Sequence, residues 1–402
     1  MNRLIQLLLG LLLFSVTLGQ LGRLPISWFG EGGIYISDLI ISLIWVLWFV
    51  EKLKIRKFEI TFLDFVVVNL LFILGISLIN SLSWVPLNSL LIATFYYIRI
   101  ILYFGLFVII KDYFKTIPIK LLIWVGSFFG IAGIVQYLLF PNFAQFIGSG
   151  WDPHYYRVLS TFFDPNYAGL FYVFLFMYFF NLIYKTRIKS QNLIYFFIMV
   201  LLLIMLILTY SRSTYLAFIV TMSTYSIFKD RRIIIGIICL STFAFIFIPR
   251  VQTRVIGAFT FDDTVSIRLN DYKKSLNLIA QQNQLLGVGF NNLRYTKETT
   301  GYFRDLRGVN QDSGHSGAGA DSSLLFIFET SGFIGLFSYL LFLTVLIFTC
   351  YKSKENAFSL GICFGLIVHS QFVNSFFYIP ILTLFIFLLS DNSNLIISKR
   401  IN

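Results

Sequence analysis

Leu193-Ile194-Tyr195-Phe196-Phe197-Ile198-Met199-Val200-Leu201-Leu202-Leu203-Ile204-Met205-Leu206-Ile207-Leu208 runs without a charge, and Thr209-Tyr210-Ser211-Arg212-Ser213-Thr214 follows it at once. Such a run has no polar face to offer water, so as a helix it belongs in a bilayer. The rest of the chain repeats the pattern. On a scale of about 20 residues per crossing, apolar segments recur at 4–21, 35–50, 62–79, 90–110, 121–140, 167–184, 193–208, 214–228, 233–248 and 324–350. The block 357–389 is too long for one helix, and His369-Ser370-Gln371 and Asn374-Ser375 interrupt it, which divides it in two. Composition agrees. Hydrophobic residues are 57% and charged residues 12%, where a soluble domain carries roughly a quarter charged, and no soluble fold hides so much apolar surface. The expected fold is an all-α polytopic membrane protein of about twelve transmembrane helices, with 1–402 forming one integral membrane domain.

Charge sets the expected orientation. The net charge of +12 would suit a nucleic-acid binder, but in a membrane chain Lys and Arg concentrate in cytoplasmic loops. With the N-terminus inside, eighteen of them fall in inner segments, among them Lys52, Lys54, Lys111, Lys185, Arg231 and Lys352. The short outer loops hold Arg23, Arg157 and Arg212. That alternation predicts an even number of spans in the cytoplasmic membrane with both termini cytoplasmic. It leaves no reason to expect a nucleic-acid partner; the partner it demands is the lipid bilayer. Met1-Asn2-Arg3 and the apolar run after it resemble a signal peptide, but no small-x-small cleavage site follows, so a retained first helix is expected. The three cysteines sit in apolar runs at unrelated spacings and suggest neither a disulfide nor a metal.

One outer segment is long. Residues 249–323, between spans 9 and 10, carry nine Lys/Arg and seven Asp/Glu, and long loops translocate regardless of charge. A periplasmic or extracellular loop of this length is usually functional or disordered. Arg268, Tyr272, Leu276 and Ile279 recur at helical spacing within it, which predicts an amphipathic helix lying on the outer membrane surface or capping a cavity.

Three groups of residues are candidates for chemistry. Arg212 opens a helix after a tight turn, flanked by Tyr210, Ser211 and Ser213. Free N–H groups, hydroxyls and a guanidinium make such a helix start an anion seat. An arginine snorkelling to headgroups explains it about as well. Gly287-Val288-Gly289 is a flexible turn with no preceding strand to make a dinucleotide site. The small, polar stretch from Gly314 to Ser323 puts His315 and Asp321 near the bilayer edge, either of them suited to general-base work, although Asp321 or Ser322 would also serve as a plain helix cap. Arg99 and Glu329 lie within spans, where a charge is costly and usually functional or paired. Asp38 and Asp64, near span ends, read as interfacial, while His154 and His369 lack the spacing of metal ligands.

Taken in order, these residues resemble the O-antigen ligase / O-antigen polymerase family. The resemblance is carried by Thr209-Tyr210-Ser211-Arg212-Ser213 with Leu216, and by Arg157 followed by Phe163-Asp164-Pro165-Asn166. It continues with Arg268 and Tyr272, Leu286-Gly287-Val288-Gly289-Phe290 with Asn292, and Phe328-Glu329-Thr330-Ser331-Gly332-Phe333-Ile334-Gly335-Leu336. The resemblance implies a membrane glycosyltransferase that moves a glycan from undecaprenyl diphosphate to a hydroxyl of a glycan or lipid acceptor. The transfer would occur on the outer face of the cytoplasmic membrane, inverting and without metal or cofactor. Carried onto this chain, Arg212 and Arg268 hold the diphosphate and His315 or Asp321 is the base; apart from what the resemblance implies, Arg157, Arg99, Tyr210, Ser211 and Glu329 are candidates for further substrate contact. The chain departs from the family pattern where many members carry His-Asn before the tenth span, since Ala320-Asp321 stand there and His315 lies five residues upstream. A repeat-unit polymerase of the same family is the nearest alternative. A lipid-linked saccharide flippase is a more distant one, against which stands the absence of visible inverted repeats.

Overall fold

The computed structural model describes residues 2–25, 33–55, 60–113, 117–149, 151–186, 192–260, 263–281, 283–300 and 320–391. Over these residues the chain is helical apart from loops and one antiparallel hairpin, in which Arg23–Pro25 pairs with Gly33–Tyr35. The first half contains α1 (Asn2–Ser15), α2 (Ile36–Ile55), α3 (Phe62–Asn80), α4 (Leu87–Phe104), α5 (Leu106–Tyr113), α6 (Ile119–Leu139) and α7 (Pro165–Thr186). The second contains α8 (Asn192–Leu208), α9 (Arg212–Lys229), α10 (Ile233–Phe247), α11 (Pro249–Phe259), α12 (Asp263–Gln281), α13 (Leu293–Thr299), α14 (Ser323–Lys352), α15 (Asn356–His369) and α16 (Ile379–Asp391). Each expected apolar segment is thus helical.

The protein is an all-α membrane protein. Large apolar side chains stand on its outside, including Leu7, Phe72, Trp124, Leu138 and Phe337, which only lipid would solvate favourably. Among the described residues, six helices are long and apolar enough to cross a membrane: Asn2–Gly22, Phe62–Ser83, Leu87–Tyr113, Ile119–Leu139, Pro165–Thr186 and Ser323–Lys352. A seventh arises if α10 and α11, bent by 102°, form one span. The expectation of twelve is larger for a physical reason. At 1.5 Å of rise per residue, helices such as α15 and α16, of 14 and 13 residues, fall short of a hydrocarbon core of about 30 Å. In addition α2 carries Asp38, Glu51, Lys52 and Lys54.

Ion pairs join helix ends that the charge reading puts on one side. Lys52 meets Asp112 at 2.9 Å, Lys185 meets Glu355 at 3.0 Å, and Lys111 pairs with Asp64. Asp64 is therefore more than interfacial: it also closes a capping box with Thr61 at the start of α3. Asp38 is likewise committed, to a buried pair with Arg99 at 2.7 Å.

Two packing devices shape the interior. On α15, Ala357, Gly361 and Gly365 form a small-residue stripe pressed onto α9, so close that a Cβ at Gly365 would lie 2.0 Å from Thr221 Oγ1. The stripe ends at His369, one turn from Gly365. The second device is a break in α14 at Gly332, whose φ of 62° suits glycine alone among ordinary residues. The Gly287-Val288-Gly289 turn docks beside that break, its Val288 and Gly289 N–H groups donating to the Glu329 and Thr330 carbonyls at 3.0 Å each. That turn binds a broken helix.

Candidate active site

The α8–α9 turn organises the site. Ser211 caps α9, its hydroxyl accepting from the Thr214 N–H, so Arg212 stands at the helix start where backbone N–H groups concentrate positive charge. Tyr210 enters the turn with φ of 49°, a conformation costly for a bulky residue. Arg157 secures it, donating from Nε to the Thr209 carbonyl at 2.8 Å and from a terminal nitrogen to the Tyr210 carbonyl at 3.4 Å. On the other side Arg250 lies 4.8 Å from the centre of the Tyr210 ring and donates to the Tyr155 and Tyr156 carbonyls. Strained backbone also recurs at Tyr156, Ser160 and Phe163, all with positive φ, in the segment facing the turn.

This turn forms one wall of a cavity of about 520 Å³. Four guanidinium groups line it, those of Arg157, Arg212, Arg254 and Arg268, together with the carboxyl groups of Asp152, Asp164 and Asp321. They come from five stretches of chain: the loop before α7, the start of α9, α11, α12 and the turn before α14. Arg268 and Asp321 face each other at 3.5 Å, each about a third exposed or more. A pair so solvated contributes no more than about 1 kcal/mol, so it yields readily to a better anion.

Burial and neighbouring charge tune several groups. Arg157 is held down to about 9, first by burial and then by Arg254, and so stays cationic at neutral pH. His154 is pushed down to about 4 by burial and by Arg157, so its imidazole is neutral; its Nε2 is buried without a hydrogen-bond partner among the described residues. Asp164 is raised by burial, although the Tyr167 and Asn166 N–H groups that it caps at 3.0 and 2.7 Å oppose the rise.

A hydroxyl network lies beneath the turn. Ser211 donates to Asn166 Oδ1 at 2.7 Å and lies 3.1 Å from Ser213, which in turn reaches His369 Nε2 at 3.3 Å. His369 Nδ1 meets Ser375 at 2.6 Å. The close packing of α15 on α9 is what delivers His369 there. On the cavity wall, Tyr167 and Tyr378 stack at 3.9 Å with an 11° tilt, and the Tyr272 hydroxyl donates to the Gln371 carbonyl at 2.9 Å, tying α12 to the turn after α15.

Of the residues expected from sequence, Arg157, Tyr210, Ser211, Arg212, Arg268 and Asp321 share this cavity. Arg99 and Glu329 do not line it. Arg99 lines a separate cavity with Asp38, and Glu329 is buried under the glycine turn. His315 lies outside the described residues. Sequence reasoning passed over Arg254, Asp164 and His154 as cavity residues. No periodicity marks them; Asp164 stands in the Phe163-Asp164-Pro165-Asn166 stretch that carries the resemblance and Arg254 in the basic segment 249–323, while nothing marks His154.

An arrangement of this kind can bind a polyanion, stabilise negative charge that develops on it, and present a carboxylate beside it. Compared with known families, residues 197–340 match the O-antigen ligase family, a stretch that includes Arg212, Arg254, Arg268, Asp321 and Glu329. No curated protein matches the chain.

Proposed function

From the match of residues 197–340 to the O-antigen ligase family, we propose that this chain is a membrane enzyme that transfers a glycan from undecaprenyl diphosphate to an acceptor hydroxyl, on the outer face of the cytoplasmic membrane. The observation that carries the reading is the convergence of Arg157, Arg212, Arg254 and Arg268 on one cavity at the start of α9. Arginine stays charged at neutral pH, and its planar fork donates paired hydrogen bonds to phosphate oxygens.

In this reading the donor diphosphate takes the place of Asp321 opposite Arg268 and lies against Arg212 and the α9 N-terminus. The acceptor oxygen attacks the anomeric carbon from the face opposite the diphosphate. A new carbon–oxygen bond forms as the glycosyl–diphosphate bond breaks, and the bond's electron pair leaves on the diphosphate, where the guanidinium groups stabilise it. The acceptor proton passes to a base in the segment before α14. Asp321, released from its partner by the incoming anion, suits that role; His315 is the other candidate. Configuration inverts because the attack is direct.

Arg212→Ala and Arg268→Ala are each expected to lower transfer at least 100-fold while the protein still reaches the membrane, read as glycan on gels against immunoblot of the enzyme. Near-normal transfer in either variant would sink the assignment. Asp321→Ala and His315→Ala, compared side by side, identify the base; if both stay active, neither serves. Purified lipid-linked repeat units supplied alone separate ligase from polymerase, since only a polymerase makes longer lipid-linked chains from them.

A further inference from the structure

We propose that the cavity at Arg99 and Tyr96 is a saccharide subsite, holding a neutral sugar ring of the glycan next to the diphosphate site. The proposal rests on the functional reading above and adds to it where the carbohydrate lies.

This cavity, of about 180 Å³, is lined by Gly19, Tyr35, Asp38, Tyr96, Arg99 and Tyr378, among others. Arg99 is 7% exposed, and one terminal nitrogen donates to Asp38 Oδ2 at 2.7 Å and to the Gly33 carbonyl at 2.5 Å. Its Nε is buried without a partner among the described residues. Tyr103 donates to the other Asp38 oxygen at 3.1 Å. The rings of Tyr35, Phe95 and Tyr96 surround the guanidinium at 5.3, 5.1 and 5.0 Å.

The charge here is already neutralised, so the cavity does not select an anion. What it presents is a donor–acceptor pair and aromatic walls that carry hydroxyls. That is the chemistry of a sugar ring: its C–H face lies on an aromatic ring, and its adjacent hydroxyls both donate and accept. A buried ion pair costs desolvation that it repays poorly as a stability device. Its placement against a cavity walled by Tyr35, Tyr96 and Tyr378 argues for a ligand.

The position fits as well. Tyr378 lines both cavities. Gln20, on the wall of the cationic cavity, accepts from the Tyr35 hydroxyl at 3.1 Å. The two cavities therefore adjoin at Tyr378 and at the Gln20–Tyr35 contact, which places a sugar held at Arg99 next to a diphosphate held at Arg212.

The test uses the full-length protein, purified in detergent, and two probes measured by titration calorimetry. One is the saccharide released by mild acid from the lipid-linked pool of the cells that make this protein, without lipid or diphosphate. The other is inorganic diphosphate. Tyr96→Ala is expected to weaken saccharide binding at least tenfold and leave diphosphate affinity within twofold. Arg99→Lys, which keeps a cation beside Asp38 but removes the planar fork, should weaken it about fivefold and covers the case in which Tyr96→Ala fails to fold. Arg212→Ala should do the reverse, losing diphosphate and keeping saccharide. Saccharide affinity within twofold of wild type in both Tyr96→Ala and Arg99→Lys, or no saccharide binding to the wild-type protein, overturns the subsite. Loss of the functional reading would look different: inorganic diphosphate would fail to bind the wild-type protein.

Discussion

Arg157 shows how a single residue serves the site through its neighbours. It braces the Tyr210 turn from below while its charge adds to the cavity, and burial holds it to about 9. Binding of the lipid diphosphate diester, which does not titrate in this range, should therefore weaken roughly fourfold between pH 7.5 and 9.5 as this guanidinium loses its proton, measured by calorimetry at the two pH values. An affinity that stays flat would show that Arg157 gives up no binding charge across this range. His154 makes a prediction about stability. Its folded-state pKa is depressed to about 4 from an ordinary 6.5, so the unfolded chain takes up the proton first as pH falls. Stability from this group is complete above pH 6.5 and is lost towards pH 4. Thermal unfolding in detergent should show the wild-type melting temperature dropping by a few degrees more than that of His154→Gln across this window. At this scale the sequence revealed the residues whose neighbours are local, Arg212 after its turn and Asp321 before its helix. It did not reveal Arg254, His154 or the pairing of Arg99 with Asp38, because those depend on chain segments tens of residues apart.

Among the elements, α12 follows its expected course but turns differently. Arg268, Tyr272 and Ile279 do lie towards the protein, joined by Ser275 and Leu278, whereas Leu276 is 53% exposed. At 100° per residue Leu276 and Leu278 stand about equally far to either side of Arg268, and packing selected the Leu278 side. The contact of α15 with α9 is the element on which the hydroxyl network depends. Gly365→Val should overpack it, since even a Cβ would fall 2.0 Å from Thr221 Oγ1. The expected cost is about 1–3 kcal/mol, seen as a lower melting temperature and reduced transfer through displacement of His369 and Ser213. Thr221→Ala in the same chain should restore part of both, which a general folding defect would not allow. The spacing Gly361-x-x-x-Gly365 was present in the sequence, but small residues at that interval gain meaning only when a facing helix is known.

For the whole molecule, the Lys52–Asp112 and Lys185–Glu355 pairs join segments that the charge alternation assigns to one side, and the clustered arginines come from segments that it assigns to the other. We therefore propose that both termini are cytoplasmic and that residues 249–323 lie outside. With exposed Cys239 replaced by Ser, a membrane-impermeant maleimide should label Gln281→Cys in intact spheroplasts and reach Lys354→Cys only after lysis. The opposite pattern would invert the topology. Hydropathy by itself determined that this is a helical membrane protein, because apolar runs of bilayer length have one stable home. Charge placement by itself determined which loops should share a side, because positive loops resist translocation. Tertiary structure alone decided that Arg157, Arg212, Arg254 and Arg268 share one cavity, that Arg99 belongs to another, and that Glu329 lies under a glycine turn. The physical reason is common to all three. Burial and the energetics of a single helix are local and can be read along the chain, whereas a site assembled from five separate stretches exists only once their helices have packed.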